Sequence, residues 1–100
     1  FYLAYVDKSH GQGERPAGCG RFRITPQGYK LERFAVLREF RNSGVGKALV
    51  DRLMNDVPRA QAYLHAQEGA RKFWEQNGFN VVGEPFYEAD IRHFHMKAAL

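Results

Sequence analysis

The amino-acid sequence predicts an α+β domain of the α/β three-layer type, with two helices on a mixed, largely antiparallel sheet. Three observations carry that expectation. Short aromatic and β-branched runs open and close the chain, apolar residues recur at three-four spacing in two internal segments, and glycine or proline marks the junctions. One hundred residues, 44% hydrophobic and 14% aromatic, suit one packed domain spanning 1–100.

Phe1 to Asp7 reads as a strand, and Lys8 to Pro16, with Gly11, Gly13 and Pro16, as a loop. From Ala17 to Thr25, Phe22 and Ile24 alternate with Arg21 and Arg23, as on a half-buried strand. Pro26-Gln27-Gly28 is a turn, and Lys30 to Leu37 returns as the third strand. A polar, glycine-bearing stretch from Arg38 to Gly46 leads into a helix from about Val45 to Asp56. Its core face is expected at Val45, Ala48, Leu49, Arg52, Leu53 and Val57, and Pro58 stops it. Ala60 to His65 is a short strand. Gln67 to Asn77 reads as a second helix, with Ala70, Phe73, Trp74 and Asn77 on one side and Asn77-Gly78 as its cap. Phe79 to Val82 and Ile91 to Lys97 close the sheet. Hairpins followed by a strand-helix-strand-helix passage imply the mixed sheet.

No apolar run approaches the ~18 residues that cross a bilayer, so no membrane partner is expected. Phe1 to Val6 lacks the basic flank and cleavage site of a signal peptide, and the absence of an initial Met suggests missing upstream sequence. Cys19 is the only cysteine, which fits a reducing, cytoplasmic compartment. A net charge of +4 and a pI near 9.5 favour an anionic partner without choosing among nucleic acid, an acidic surface and a phosphate-rich cofactor.

The choice is made by Arg41-Asn42-Ser43-Gly44-Val45-Gly46, between a strand and a helix. The first amides of a helix lack intrahelical partners, and its dipole adds roughly half a positive charge there. Glycines let an anion approach the backbone, and Arg41 adds a cationic fork. Together these make a pyrophosphate site. The spacing is too short for a nucleotide-hydrolase phosphate loop, Lys47 is not followed by Ser or Thr, and the dinucleotide fingerprint needs a third glycine. A lone G-x-G would more often be a plain turn that starts a helix.

Its neighbours point further. Phe34-Ala35-Val36 followed by Arg41 to Gly46 resembles the cofactor motif of the GCN5-related N-acetyltransferases (GNAT), and Ala70 to Phe79 resembles the family's Ala, Phe-Tyr, Gly-Phe helix end. The tail from Gly83 to Glu88 and from His93 to Met96 is similar to the closing strands of a small bacterial-type branch. The resemblance runs from Phe1 to Leu100. It implies the acyl-CoA N-acyltransferase fold without the family's N-terminal strand and paired helices.

What the resemblance implies is acetyl transfer from acetyl-CoA, as co-substrate, to a primary amine within a ternary complex. Two neighbouring parallel strands, Leu31–Leu37 and Ala60–Ala66, would splay around the pantetheine arm. Backbone groups near Phe34, Ala35 and Val36 would bond that arm. Arg41 and the amides of Asn42, Ser43, Gly44, Val45, Gly46 and Lys47 would hold the pyrophosphate, and Gln67 and Trp74 stand where the family touches the cofactor. Trp74 departs from the family's tyrosine. An indole N–H donates but is not acidic, so Trp74 either walls the cofactor or is a core aromatic.

Candidate bases are Glu32, otherwise a strand residue paired with Arg33 or Lys30, and His65 at the end of the next strand. Tyr87 is a substitute acid, or else a surface tyrosine in a hairpin loop. Glu88, Asp90 and His93 beside it could line an acceptor pocket. His93 and His95 share a strand face, but catalytic zinc normally takes three protein ligands and no third is evident. No metal is expected. Cys19 reads as a small buried residue.

The partners that follow are a small-molecule or peptide amine, with a homodimer left open. Two other functions compete, a non-catalytic acyl-CoA-binding module of the same fold and a basic nucleic-acid-binding domain. Lys and Arg are scattered instead of clustering with stacking aromatics, which argues against nucleic acid.

Overall fold

The computed structural model describes residues 2–8 and 13–100, with side chains from Pro16 onward. Among the described residues, seven strands form one sheet: β1 (Tyr2–Lys8), β2 (Gly13–Thr25), β3 (Gly28–Val36), β4 (Ala62–Gln67), β5 (Phe79–Val81), β6 (Phe86–Glu88) and β7 (Ile91–Ala98). The helices are α1 (Val45–Asn55) and α2 (Arg71–Gln76). The order across the sheet is β1-β2-β3-β4-β7-β5, with β6 also on β7, and only β3–β4 is parallel. A mixed, largely antiparallel sheet with two helices is therefore present.

Several boundaries differ from the sequence reading. Gly13 to Pro16, expected in a loop, extends β2, because Pro16 pairs with Tyr5 beside a register shift between Ala4 and Tyr5. Residues 9–12 of that expected loop lie outside the described residues. The second helix is shorter than expected, since the β4–β7 ladder runs on to Gln67↔His93 and residues 68–70 form a 3₁₀ turn before α2. Strand β6 was not expected. Three residues are too few to show periodicity, and β6 exists because Phe86, Tyr87 and Glu88 pair with His93, Arg92 and Ile91.

Both helices lie on one face of the sheet. A Cβ at Gly18 would meet Leu49 of α1, and one at Gly20 would meet both Leu53 of α1 and the Phe34 ring. Phe34 in turn packs edge-on against Trp74 of α2. Strand alternation gives this face Leu31, Leu64, Phe94 and Met96, which join Val50, Val57 and Phe79 in the core. The buried stripe of α1 is Leu49, Val50 and Leu53, whereas Ala48 and Arg52, expected on it, are exposed. The spacing is right and its phase is turned toward Gly46, which packs beneath Phe73. The opposite face carries Arg21, Arg23, Lys30, Glu32, Tyr63, His65, His93, His95 and Lys97. That alternation was legible in β7, where buried Phe94 and Met96 oppose the two histidines.

The β2–β3 turn sets the start of the parallel pair. Thr25 Oγ1 accepts from the Gln27 N–H at 3.1 Å and shares a 2.6 Å hydrogen bond with the Tyr63 hydroxyl of β4. Gly28 has φ 133° and lies against the Gln61 carbonyl, so a side chain there meets both strain and backbone. Gly28→Ala should lower unfolding free energy by about 1–3 kcal/mol, read from the urea midpoint at unchanged slope.

Candidate active site

The cradle begins where β3 ends. Residues 38–40 form a 3₁₀ turn whose Phe40 is buried, and Ser43 Oγ donates to the Phe40 carbonyl. Asn42 (φ 63°) and Gly44 (φ 90°) are both left-handed, which turns the chain sharply into α1. The first helical bond runs from the Ala48 N–H to the Gly44 carbonyl at 3.0 Å. The Val45, Gly46 and Lys47 amides precede it and have no intrahelical partner. Apart from its two chain neighbours, no heavy atom lies within 4 Å of where a Gly44 Cβ would stand, so space is open beside the first turn. The donor set and this space fit an anion such as pyrophosphate. Arg41 Nε donates to the Val36 carbonyl at 3.1 Å, holding the guanidinium at the cradle's edge. Lys47 pairs with Asp51 at 2.8 Å on the helix surface, so it offers its amide and not its charge.

Beside the cradle, β3 and β4 part. Their ladder consists of Tyr29↔Ala62, Lys30↔Tyr63 and Leu31↔Leu64, and no pairing continues beyond it. On β3 a bulge follows, because Cys19↔Ala35 and Arg21↔Glu32 leave Gly20 facing both Arg33 and Phe34, with Arg33 at φ 55°. Cys19, expected buried, is half-exposed beside the bulge and donates from Sγ to the Arg33 carbonyl at 3.5 Å. The Leu37 N–H donates to Ala17 of β2, so across the trans peptide the Val36 carbonyl points the other way, into the gap. The Val36 N–H shares that side. The Phe34 and Phe73 rings pack 5.5 Å apart on the helix side.

Glu32 and His65 are the first residues past the ladder, one on each strand. The structure gives Glu32 a task other than the proposed base. Its Oε2 accepts from Arg21 Nε at 2.7 Å and its Oε1 from Arg23 Nε at 3.0 Å, and not from Arg33 or Lys30. Burial alone would raise its pKa, but the two arginines outweigh it and hold the carboxyl below 4.5. A carboxylate so stabilised is a poor proton acceptor. His65 differs. Its exposed imidazole stands among Tyr63, His95 and Phe86, at ring-centroid distances of 5.9, 5.2 and 5.1 Å. Burial, then the charges of Lys30 and His95, depress its pKa below 6.5 despite Glu88, so it is neutral at pH 7 and able to take a proton.

Other expected residues fall elsewhere. Tyr87 is 72% exposed on β6, and alternation with Phe86 turns it to the face opposite His65. It is not placed as an acid for a group at His65. Trp74 is only 6% exposed, wedged edge-on against Phe34, Phe73 and Phe79. That is the core aromatic of the two readings, and it acts on the gap through Phe34. Gln67 is exposed at the end of β4, where the 3₁₀ turn begins. Among the described residues no three ligating side chains converge as a metal site.

Residues 7–100 match the family model described as an acetyltransferase (GNAT) domain. The chain belongs to the GNAT acetyltransferase family. It is 36% identical over 88 residues to YjcF of Bacillus subtilis (strain 168), named as an uncharacterized N-acetyltransferase, covering 84% of this chain and 63% of that protein. It is 33% identical over 85 residues to the uncharacterized protein YyaT of the same organism, covering 82% of this chain and 57% of the relative. The chain thus spans about three-fifths of these relatives. Among solved structures, an acyl-CoA N-acyltransferase from Pseudomonas aeruginosa aligns at TM-score 0.68 and 24% identity, over 85% of this chain and 62% of the other. A Bacillus anthracis str. Ames protein in complex with acetyl coenzyme A aligns at 0.69 and 20%, over 86% of this chain and 57% of the other. These likenesses show the acyl-CoA N-acyltransferase fold.

In this GNAT domain the pocket expected at Glu88, Asp90 and His93 is lined by other residues. A shallow pocket of about 540 Å³ lies on the face opposite the helices, bounded by His65, Val82, Glu84, Phe86, His95 and Lys97. The only early signal was the alternation of His93 and His95; the contribution of the 82–86 loop depends on β6, which has no sequence signature.

Two predictions follow from this geometry. A Cβ on Gly46 would stand 2.9 Å from the Phe73 ring. Gly46→Ala should therefore cost about 1–3 kcal/mol, and Phe73→Leu in the same chain should recover most of it, as a double-mutant cycle would reveal. For Glu32, the depressed folded pKa means that the ionised form favours folding. That contribution is present above its unfolded value of 4.5 and is lost as pH falls through the folded value. Glu32→Gln should cost about 2 kcal/mol at pH 7, with the gap to the parent narrowing below pH 4.5 in acid-unfolding curves.

Proposed function

We propose that the chain is an acetyl-CoA-dependent N-acetyltransferase that passes the acetyl group directly to a primary amine. The observation that carries this reading is the gap beyond Leu31 and Leu64, with open helix amides at one end and a neutral imidazole at the other. Arg41 and the amides from Asn42 to Lys47 would hold the pyrophosphate, and the Val36 N–H would meet a pantetheine carbonyl. The cofactor supplies an activated acetyl thioester.

The amine, with a lysine-like pKa of ~10.4, must lose a proton before it can attack. His65 takes that proton, a step that general-base catalysis makes about 10²- to 10⁴-fold faster. Glu32 holds Arg21 and Arg23 in place. A thiolate leaves tolerably without a dedicated acid, because a free thiol's pKa is only ~8.5. Cytoplasmic residence belongs to the same proposal and rests on the lone Cys19. The second reading, a non-catalytic acyl-CoA-binding module, has one observation in its favour: buried Trp74 offers no acidic proton.

Coenzyme A at about a hundred times its dissociation constant should stabilise the protein by roughly 2.7 kcal/mol. Gly44→Val should lose that shift in melting temperature, since φ 90° is strained for valine and its side chain fills the cradle. An unchanged melting temperature of the parent with millimolar CoA would remove the cofactor assignment. Thiol release with amine acceptors then separates enzyme from module. For the enzyme, kcat/KM should rise with pH through a value below 6.5, the neutral imidazole being the active form. His65→Gln should lower turnover about a hundredfold and erase that limb.

A further inference from the structure

We propose that the pocket beside His65 takes the acceptor, and that the acceptor is a zwitterionic amino compound, an amine that also carries a carboxylate. This rests on the acetyltransferase reading above. His65 is the residue that the gap and the pocket share: it follows the last rung of the β3–β4 ladder and lines the pocket wall. An amine held in the pocket is thereby next to the group that takes its proton. A volume of about 540 Å³ has the scale of a small-molecule site.

Charge defines the chemistry. Lys97 and Glu84 both line the pocket, yet they do not pair with each other or with any ionic partner among the described residues. A pocket with one free ammonium and one free carboxylate complements a ligand bearing both signs. His95 adds direction. Its Nε2 is enclosed without a hydrogen-bond partner. A buried donor left without a partner is costly, so in this proposal His95 carries its proton on Nδ1 and donates from there to the ligand. Lys97 and His95 Nδ1–H thus form a two-donor seat for the carboxylate. Glu84 attracts the ammonium before it surrenders its proton to His65, and Val82 and Phe86 give the carbon chain an apolar wall. Tyr63, stacked on His95 at 5.5 Å and 15°, and hydrogen-bonded to Thr25, fixes the imidazole plane.

The test is thiol release from acetyl-CoA with a panel of α- and ω-amino acids, each against its carboxamide, alongside melting temperatures with coenzyme A. At least one acid should be preferred over its carboxamide by about tenfold in kcat/KM. Lys97→Met should raise KM for that acid about tenfold at little change in kcat, and so erase the preference. Glu84→Gln, in an exposed loop, should raise KM for the same acid. Equal use of acid and carboxamide overturns the inference, as does a Lys97→Met variant that keeps the preference. Stabilisation by CoA with no member of the panel acetylated also overturns it. Absence of CoA stabilisation overturns the acetyltransferase reading itself.

Discussion

β3 is held by β2 on one side along nearly its whole length and by β4 on the other for three residue pairs. The imbalance has identifiable causes. Glu32 is clamped by two arginines of β2, the bulge at Arg33 bends the strand, and the Leu37 N–H remains tied to Ala17. Meanwhile β4 is committed to β7 out to Gln67. Each strand follows its stronger partner, and the two separate. The cradle, the Val36 backbone turned into the gap and the position of His65 depend on that separation.

The same divergence explains why small residues gather at one corner. Gly18 and Gly20 on β2 let α1 lie close to the sheet, and Gly46 lets its first turn slide under Phe73. At that last position the Phe73 ring decides for glycine. Aromatic contacts from Phe34 through Phe73 and Trp74 to Phe79 then fasten α2 to the floor of the gap. The floor is apolar and closely packed, while the opposite face is polar and carries the titratable groups.

Much of this was legible in the sequence. Alternation in β2 and β7, three-four spacing in α1 and the glycine-bearing junction before it fix element types through local physics, and two separated motifs brought the family into view. Glu32 was misread because its partners, Arg21 and Arg23, lie across a strand pairing whose register includes a bulge. No periodicity encodes that bulge. Tyr87, read either as a substitute acid or as a surface tyrosine, is the surface tyrosine, and a three-residue strand decides which face it takes. Trp74 showed its helical spacing but not the three rings that enclose it. The pocket needed the 82–86 loop to fold back toward β7, a tertiary event with no local signature.

The contact between Arg41 and the Val36 carbonyl bears on the edges that the gap exposes. A slit between diverging strands is a pair of internal edges, and an unpaired edge invites any extended peptide to dock by main-chain hydrogen bonding. By occupying one exposed acceptor, Arg41 works as a gatekeeper against foreign strands. A bound ligand that lies along the gap completes the protection, so that filling the slit also guards the sheet.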